Sequence, residues 1–199
     1  MVTELLKSER SILVVIDIQG KLAEMVWRGE LLFAATKRLL DMAELFGIPV
    51  ALTEQYPKGL GPTHPDILAK FDALTVPKRR FEKNAFGCCD EPGFEQVLRD
   101  LRPGLGPGQR QLVVAGIETH VCVMQTVLAS LRAGDQVHVS WDAVSGRGEE
   151  HRRWALERMQ KAGAVITNLE SVGFEWARTK DHPKFKAFSA MLKEGQLGG

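Results

Sequence analysis

The amino-acid sequence predicts a three-layer α/β/α fold built on a central, mostly parallel six-stranded sheet with a Rossmann-like topology. Short apolar blocks alternate with segments of helical periodicity, and several of those segments end at a glycine. Strands that alternate with helices pair in parallel through right-handed crossovers, which place helices on both sheet faces. The 199 residues, 44% of them hydrophobic, suit one domain over residues 1–199 with a sizeable core.

The first half of the chain contains two predicted strands and the helix between them. Residues 12–16 are apolar, β-branched and too short for a helix, which is typical of a buried strand. An apolar stripe runs from Leu32 to Phe46 and stops at Gly47, and residues 49–52 form the next strand. The Gly- and Pro-rich residues 53–71 are too many for a simple connection and are expected to line a site.

The second half repeats this alternation and ends in a helix that covers the core. A weak third strand is predicted at residues 74–76, and Asp90 is the predicted N-cap of the helix that carries Phe94 and Leu101. The core of the fold is expected at about residues 11–172 and the covering helix at about 183–193. The remaining predicted strands are 111–115, 137–140 and 164–167, and the remaining helices are about 121–132 and 149–162.

Composition excludes several classes of partner. The net charge is +1 and both signs are interspersed, so the sequence predicts neither a nucleic-acid nor a membrane partner. The first residues lack the basic and apolar regions of a signal peptide. The cysteine count is three, and two of them are adjacent, which argues against a disulfide framework and favours a cytoplasmic location.

Residues 113–122 are the most informative segment, because an apolar strand runs into a tight turn that ends at Cys122. The first residues of a helix carry free N–H groups and partial positive charge, which favour a thiolate. The same N–H groups point to where an oxyanion would form in acyl transfer. The alternative for Cys122 is a small buried packing residue.

Two further polar residues fall at predicted strand ends. Asp17 closes the first strand and Lys83 follows the third, as Cys122 follows the fourth, and ligands bind at the carboxyl ends of parallel strands. Alone, Asp17 could be a turn residue and Lys83 a solvated surface lysine. As a set, the lysine neutralises the carboxylate, and the carboxylate accepts the thiol proton and later returns it.

With these residues the chain resembles the isochorismatase-like cysteine hydrolases over about residues 13–172. The resemblance implies a catalytic triad of Asp17, Lys83 and Cys122. It also implies a cis peptide bond between Ile117 and Glu118, which would turn the Glu118 N–H toward that of Cys122 in an oxyanion hole. The matching segments are residues 15–19, 83–86, 116–123 and 141–143 with Ser145.

Residues 53–63 and 182–186 are similar to the isochorismatase domain-containing protein subgroup. Zinc-binding nicotinamidases of the family carry Asp-x-His after the second strand, where this chain has Thr53, Glu54 and Gln55. The resemblance therefore implies no metal site and no cofactor, and His64 and His120 are expected to be hydrogen-bonded or exposed.

Three residues are predicted to line the substrate pocket from the strand ends, namely Gln19, Gln55 and Tyr56. A loop hydrogen bond or aromatic packing is the alternative role for these residues. Cys88 and Cys89 are expected to flank a helix rather than to form a vicinal redox pair.

The sequence as a whole predicts a metal-independent hydrolase that acts on a small amide or related carbonyl substrate through a Cys122 thioester. The alternatives are a vinyl-ether (isochorismatase-type) or ester hydrolase, and a non-catalytic binding or redox-sensing module on the same fold. The expected partner is a small-molecule substrate. The resemblance also implies a homo-oligomer, either a dimer or a tetramer.

Overall fold

A six-stranded, wholly parallel sheet with helices on both faces forms the centre of the computed structural model, which describes residues 4–193. The strand order is β3-β2-β1-β4-β5-β6, so the progression of the chain reverses between β1 and β4. The predicted three-layer fold is confirmed. The strands are β1 (Ser11–Ile16), β2 (Val50–Gln55), β3 (Lys78–Lys83), β4 (Gln111–Ile117), β5 (Gln136–Ser145) and β6 (Val165–Thr167).

Helices connect consecutive strands and close the two outer layers. None of those in residues 4–193 has both the length and the apolar character that crossing a membrane requires. The α-helices are α1 (Gly20–Glu24), α2 (Gly29–Phe46), α3 (Pro57–Leu60), α4 (Pro65–Ala73), α5 (Phe94–Leu101), α6 (Met124–Ala133), α7 (Glu149–Lys161), α8 (Leu169–Ala177) and α9 (Phe185–Lys193). Two short turns precede α5 and α6, a 3-10 turn at Cys88–Asp90 and a π-helical turn at Thr119–Val123.

The third strand lies at Lys78–Lys83, so the prediction of a strand at residues 74–76 is wrong. The sequence KRRFEK carries five charges, because β3 is an edge strand and most of its side chains are at least partly exposed. Natural edge strands often carry charged side chains that discourage pairing with another chain. A search for apolar blocks therefore could not detect β3. Lys83 is the last residue of this strand, although the sequence predicts that it follows the strand.

One helix prediction also needs correction. Helix α5 begins after Gly93, which has a φ of 99°, and Asp90 belongs to the preceding 3-10 turn instead of capping the helix. Glycine adopts this left-handed conformation without steric cost, so the chain turns there and the helix starts later than predicted. The covering helix α9 begins at Phe185, close to the predicted start, and Trp176 of the preceding helix α8 donates to Ser11 Oγ at 2.9 Å.

Apolar side chains pack on both faces of the sheet. Leu13 and Val15 of β1 belong to one layer with residues of α2, α8 and α9, while Ile12 and Val14 belong to the other with residues of α5, α6 and α7. Successive side chains of a strand point to opposite faces, and a parallel strand is usually covered on both. Packing on both faces thus fixes the centre of the sheet, and with it the positions of the strand ends.

Gly116 allows β4 to pass close to β1 just before the turn that carries Cys122. Its φ is 128°, and a Cβ atom at this position would lie 2.1 Å from the carbonyl oxygen of Ile16. That neighbour is backbone within a paired strand, so it has little freedom to move.

We expect Gly116→Ala to lower the free energy of unfolding by about 3 kcal/mol or more, because the new methyl group collides with β1. Gly47→Ala is the matched control, since Gly47 also has a positive φ of 72°, but no neighbouring atom of residues 4–193 would lie within 4 Å of a Cβ atom there. That control should cost only about 1–2 kcal/mol. Urea unfolding followed by circular dichroism measures both, and equal losses would contradict the close-contact argument.

Candidate active site

Asp17, Lys83 and Cys122 are carried by three elements that end at the same edge of the sheet. Asp17 directly follows β1 and has a φ of 51°, Lys83 is the last residue of β3, and Cys122 lies in the turn after β4. Strand β2 runs between β1 and β3, with Thr53 opposite Ile16 and Gln55 opposite Lys83. The parallel register therefore brings residues that are distant in the chain to one edge.

The Lys83 ammonium and the Asp17 carboxylate form a buried ion pair. Lys83 Nζ lies 2.6 Å from Asp17 Oδ2, and the two side chains are 0% and 5% exposed. Nζ also donates to Gln55 Oε1 at 2.8 Å and to the carbonyl oxygens of Ala85 and Phe86 at 3.1 and 2.9 Å. Buried charges are tolerated when they are paired and hydrogen-bonded, so Lys83 is an ionic residue of the interior and not a surface lysine.

The second oxygen of the carboxylate is also occupied. Thr53 Oγ1 donates to Asp17 Oδ1 at 2.7 Å, and the Asp17 N–H donates to the Thr53 carbonyl oxygen at 3.2 Å. Hydrogen bonds to a carboxylate favour its charged form. Asp17 is thus oriented from two sides, by Lys83 and by Thr53.

The buried setting of Cys122 opposes a thiolate, in contrast to the expectation from its position at a helix start. Burial and the negative charge of Asp17 together raise the pKa of the Cys122 thiol to about 12, and Lys83 offsets only part of their effect. The partial charge at a helix start contributes about 1 kcal/mol or less in most settings, too little to reverse these effects. The thiol nevertheless lies next to a carboxylate that can accept its proton.

The turn that carries Cys122 begins at a cis peptide bond between Ile117 and Glu118. The Glu118 carbonyl oxygen accepts hydrogen bonds from the N–H groups of Val121 and Val123, at 3.0 and 3.3 Å. The Glu118 carboxylate pairs with Arg147 Nε at 2.9 Å, which ties the turn to the segment after β5. The backbone N–H groups of Glu118 and Cys122 therefore belong to one closed turn at the end of β4.

Gln19 and Gln55 serve as internal braces. The Gln19 amide accepts from the Gln55 N–H at 2.6 Å and donates to the carbonyl oxygens of Gln55 and Gly61 at 3.2 and 2.7 Å. Gln55 accepts from Lys83 and donates to the Asn84 carbonyl oxygen at 2.7 Å. The Gln19 contacts match the loop-hydrogen-bond alternative for that residue, and Gln55 orients the lysine.

Tyr56 differs from these two glutamines because its side chain is largely open to solvent. Tyr56 is 54% exposed, and its N–H donates to the Lys83 carbonyl oxygen at 2.8 Å. It borders a cavity of about 190 Å³ beside the edge strand, together with Pro57, Lys58, Glu82, Lys83 and Asn84. Of the three predicted pocket residues, Tyr56 is the one that faces open space.

Cys88 and Thr53 belong to this site although neither was individually predicted to be a site residue. Cys88 is fully buried, and its thiol lies 3.9 Å from Thr53 Oγ1. Its N–H donates to Thr126 Oγ1 at 2.9 Å, and that hydroxyl donates to the Cys122 carbonyl oxygen at 2.7 Å. Only the closeness of Cys88 to Lys83 in the chain could have indicated that Cys88 lies at the site. The neighbouring Cys89 points away from the site toward Ser130.

The two histidines considered as metal ligands have other contacts. The N–H of Asp66 donates to His64 Nδ1 at 3.4 Å, and the His64 ring packs on Phe33. His120 stacks on His151 with ring centroids 4.6 Å apart, and burial lowers the pKa of His120. Across residues 4–193 no group of three or more His, Cys, Asp or Glu side chains is arranged to hold a metal ion.

The sequence matches the isochorismatase domain over residues 11–171. Isochorismatase domain-containing protein 1 of Danio rerio is 40% identical over 157 residues, which are 79% of this chain and 52% of that protein. The chain therefore spans about half the length of that relative.

Two solved structures share the fold. MAR1 ribonuclease from Caenorhabditis elegans is 33% identical with a TM-score of 0.86, and the match covers 98% of this chain and 95% of that one. YcaC from Pseudomonas aeruginosa, with hexane-2,5-diol and covalent acrylamide, is 25% identical with a TM-score of 0.81 and 98% coverage of both chains. The similarity extends over nearly the whole length of these two proteins.

We expect Lys83→Met to lower the free energy of unfolding by about 3–5 kcal/mol, because it leaves the Asp17 carboxylate buried without its cation. Asp17→Asn combined with Lys83→Met should recover a large part of that loss. Lys180→Met is the surface control, since the Lys180–Asp181 pair is exposed and worth about 1 kcal/mol or less. A double-mutant cycle from urea unfolding checks the coupling, and simple additivity would contradict a buried pair.

We expect Cys122 to react slowly with iodoacetamide near neutral pH and about tenfold faster for each pH unit until the solution pH nears the pKa of the thiol. The reason is that a raised pKa keeps the sulfur protonated, and only the thiolate is alkylated. Tryptic mass spectrometry measures labelling at each cysteine, with Cys122→Ala assigning the peptide. A rate that is already constant from about pH 7 upward would show that the thiol is acidic after all.

Proposed function

The chain belongs to the isochorismatase-like hydrolase family, and on this premise we propose that it is a metal-independent cysteine hydrolase of a small amide or related C–N substrate. The observation that carries the proposal is the buried pair of Lys83 and Asp17 beside the Cys122 thiol. A nucleophile, a base within reach of its proton and a group that orients the base are the parts that covalent catalysis requires.

In the first half of the proposed reaction, the Cys122 sulfur attacks the substrate carbonyl carbon while Asp17 takes the thiol proton. The carbonyl oxygen becomes an oxyanion, which the N–H groups of Glu118 and Cys122 stabilise. When the carbonyl re-forms, the C–N bond breaks, Asp17 returns the proton to the leaving amine, and a thioester on Cys122 remains. Each oxyanion donor is worth about a hundred- to thousandfold in rate.

In the second half, water attacks the thioester and gives a proton to Asp17. The new oxyanion collapses, the carbon–sulfur bond breaks, the acid is released, and Asp17 returns the proton to the sulfur. Lys83 keeps its charge throughout and balances the Asp17 carboxylate whenever that group is ionised. While Asp17 holds a proton, the negative charge is on the substrate oxyanion, and Asp17 is an ionised carboxylate again at the end of each half.

The raised pKa of Cys122 supports this order of events. A permanent thiolate would place a second negative charge beside Asp17 in a buried setting, which costs energy. A thiol that loses its proton only as the carbon–sulfur bond forms avoids that cost. The proton transfer is therefore coupled to the attack on the substrate.

The comparisons support a nucleophile at this site. The Pseudomonas aeruginosa YcaC structure contains covalent acrylamide, and a covalent adduct with that compound requires a nucleophile in that protein. In this chain we assign the nucleophile to Cys122. We further propose that the enzyme works as a homo-oligomer, a dimer or tetramer, in the cytoplasm, where its free cysteines stay reduced.

Ester hydrolysis and vinyl-ether cleavage are alternatives on the same site, because Asp17 could also act as an acid toward a substrate oxygen. The Caenorhabditis elegans neighbour is described as a ribonuclease, so RNA belongs in the test as a further substrate. A binding or redox-sensing module without turnover is the non-enzymatic alternative.

The wild-type chain should hydrolyse at least one member of a panel of small aliphatic and aryl amides, and mass spectrometry of the intact protein should show an acyl adduct on Cys122. Replacing Cys122 by Ala should lower turnover by about a thousandfold or more and abolish the adduct, because the nucleophile is lost. Cys89→Ala is the matched control, since Cys89 is exposed and outside the site, and it should keep wild-type turnover.

The same panel distinguishes the alternatives. Esters, vinyl ethers and RNA are tested beside the amides, each with wild type and Cys122→Ala. Hydrolysis that survives the loss of the sulfur would refute the thioester mechanism. Absence of turnover and of any adduct on every compound would favour the non-catalytic module.

A further inference from the structure

We propose that Thr53 is a positioning residue for the reaction, which holds the Asp17 carboxylate in the orientation and charge state that let it accept the Cys122 proton. This inference rests on the proposed function, because it assumes that Asp17 is the base. Thr53 is not expected to touch the substrate. It acts only through its contacts with Asp17.

The geometry binds Thr53 to Asp17 twice. The Thr53 hydroxyl donates to Asp17 Oδ1 at 2.7 Å, and the Thr53 carbonyl oxygen accepts from the Asp17 N–H at 3.2 Å. Thr53 is 1% exposed, so water does not compete for either contact. Asp17 has a φ of 51°, an uncommon conformation for a non-glycine residue, and the backbone contact holds it there.

The direction of the side-chain hydrogen bond is determined by its neighbours. An ionised carboxylate only accepts, so the single hydroxyl proton of Thr53 points to Asp17. Cys88 lies behind Thr53 with its sulfur 3.9 Å from Oγ1 and can donate its S–H proton there. Burial raises the pKa of the Cys88 thiol to about 12, so this proton remains in place. The order of donation is therefore Cys88 to Thr53 to Asp17.

The two donors divide the carboxylate between them. Lys83 Nζ occupies Oδ2 and Thr53 Oγ1 occupies Oδ1, so the group cannot rotate without breaking one bond. A carboxylate has about four lone-pair sites, so others remain open for the proton of Cys122. Without the Thr53 hydroxyl, Oδ1 would lose this hydrogen bond, and the charged form of the base would be less favoured.

The experiment compares Thr53→Val, which replaces the hydroxyl by a methyl group of similar size, with Thr53→Ser, which keeps it. Thr36→Val is the matched control, because Thr36 is buried on α2 and its hydroxyl has no hydrogen-bond partner within residues 4–193. The readout is kcat/KM as a function of pH, with p-nitrophenyl acetate as a probe and with any amide from the panel. Thermal unfolding confirms that each variant is folded.

Thr53→Val should move the acidic limb of the profile to higher pH by about one to two units, since a hydrogen bond to a charged group is lost. On the acidic limb itself kcat/KM should fall roughly tenfold to a hundredfold, because a displacement of one pH unit is tenfold there, while at about pH 8 it should stay within about threefold of wild type. Thr53→Ser should restore the wild-type profile. An unchanged profile, or the same loss at every pH, would overturn the positioning role.

A second measurement separates this inference from the proposed function. In protein labelled with ¹³C at aspartate carboxyl groups, NMR follows Asp17 directly, and Asp17→Asn assigns its signal. Thr53→Val should shift that signal, because the hydrogen bond to Oδ1 is lost, whether or not the protein turns over a substrate. A shift without any turnover keeps the positioning role and refutes the hydrolase. An unshifted signal refutes the positioning role.

Discussion

The buried contact between Lys83 and Asp17 is the interaction on which the rest of the site depends. The two residues follow or end different strands of the sheet and are 66 residues apart in the chain, and both side chains are buried from solvent. A buried ion pair stabilises a protein only when its remaining hydrogen-bonding capacity is satisfied. Strand β2, which lies between the two, meets that requirement by placing Gln55 on the ammonium and Thr53 on the carboxylate.

This requirement explains why several polar residues around the site hydrogen-bond to the surrounding protein instead of facing a substrate. Gln19 holds the backbone of Gln55 and Gly61 with both ends of its amide, and buried Glu54 accepts from the N–H and the hydroxyl of Thr63 at 2.7 Å each. The Gly- and Pro-rich segment after β2 is therefore tied to the sheet at several points. Precise placement of reacting groups is the main contribution that a rigid frame makes to catalysis.

The state of the sulfur follows from the same electrostatics. One cation serves two acidic groups, and two negative charges side by side in a site of low polarity cost energy. Asp17 accepts hydrogen bonds from both Lys83 and Thr53, whereas burial and the nearby Asp17 charge raise the pKa of the Cys122 thiol. The position of Cys122 at a helix start, taken by itself, indicated a lowered pKa. That expectation fails because the local effect of the helix is smaller than the combined effect of burial and a neighbouring carboxylate.

The sequence by itself determined the features that depend on local pattern. The buried strands appeared as apolar blocks, helices α2 and α6 ended at Gly47 and Gly134, and the short motif around Cys122 indicated the family. Only the tertiary structure decided that the charged segment Lys78–Lys83 is an edge strand, that Gln19 is a brace, and that Thr53 and Cys88 stand behind the carboxylate. These contacts join residues from different elements, which the parallel register of the strands brings together, and that register leaves no periodic trace in the chain.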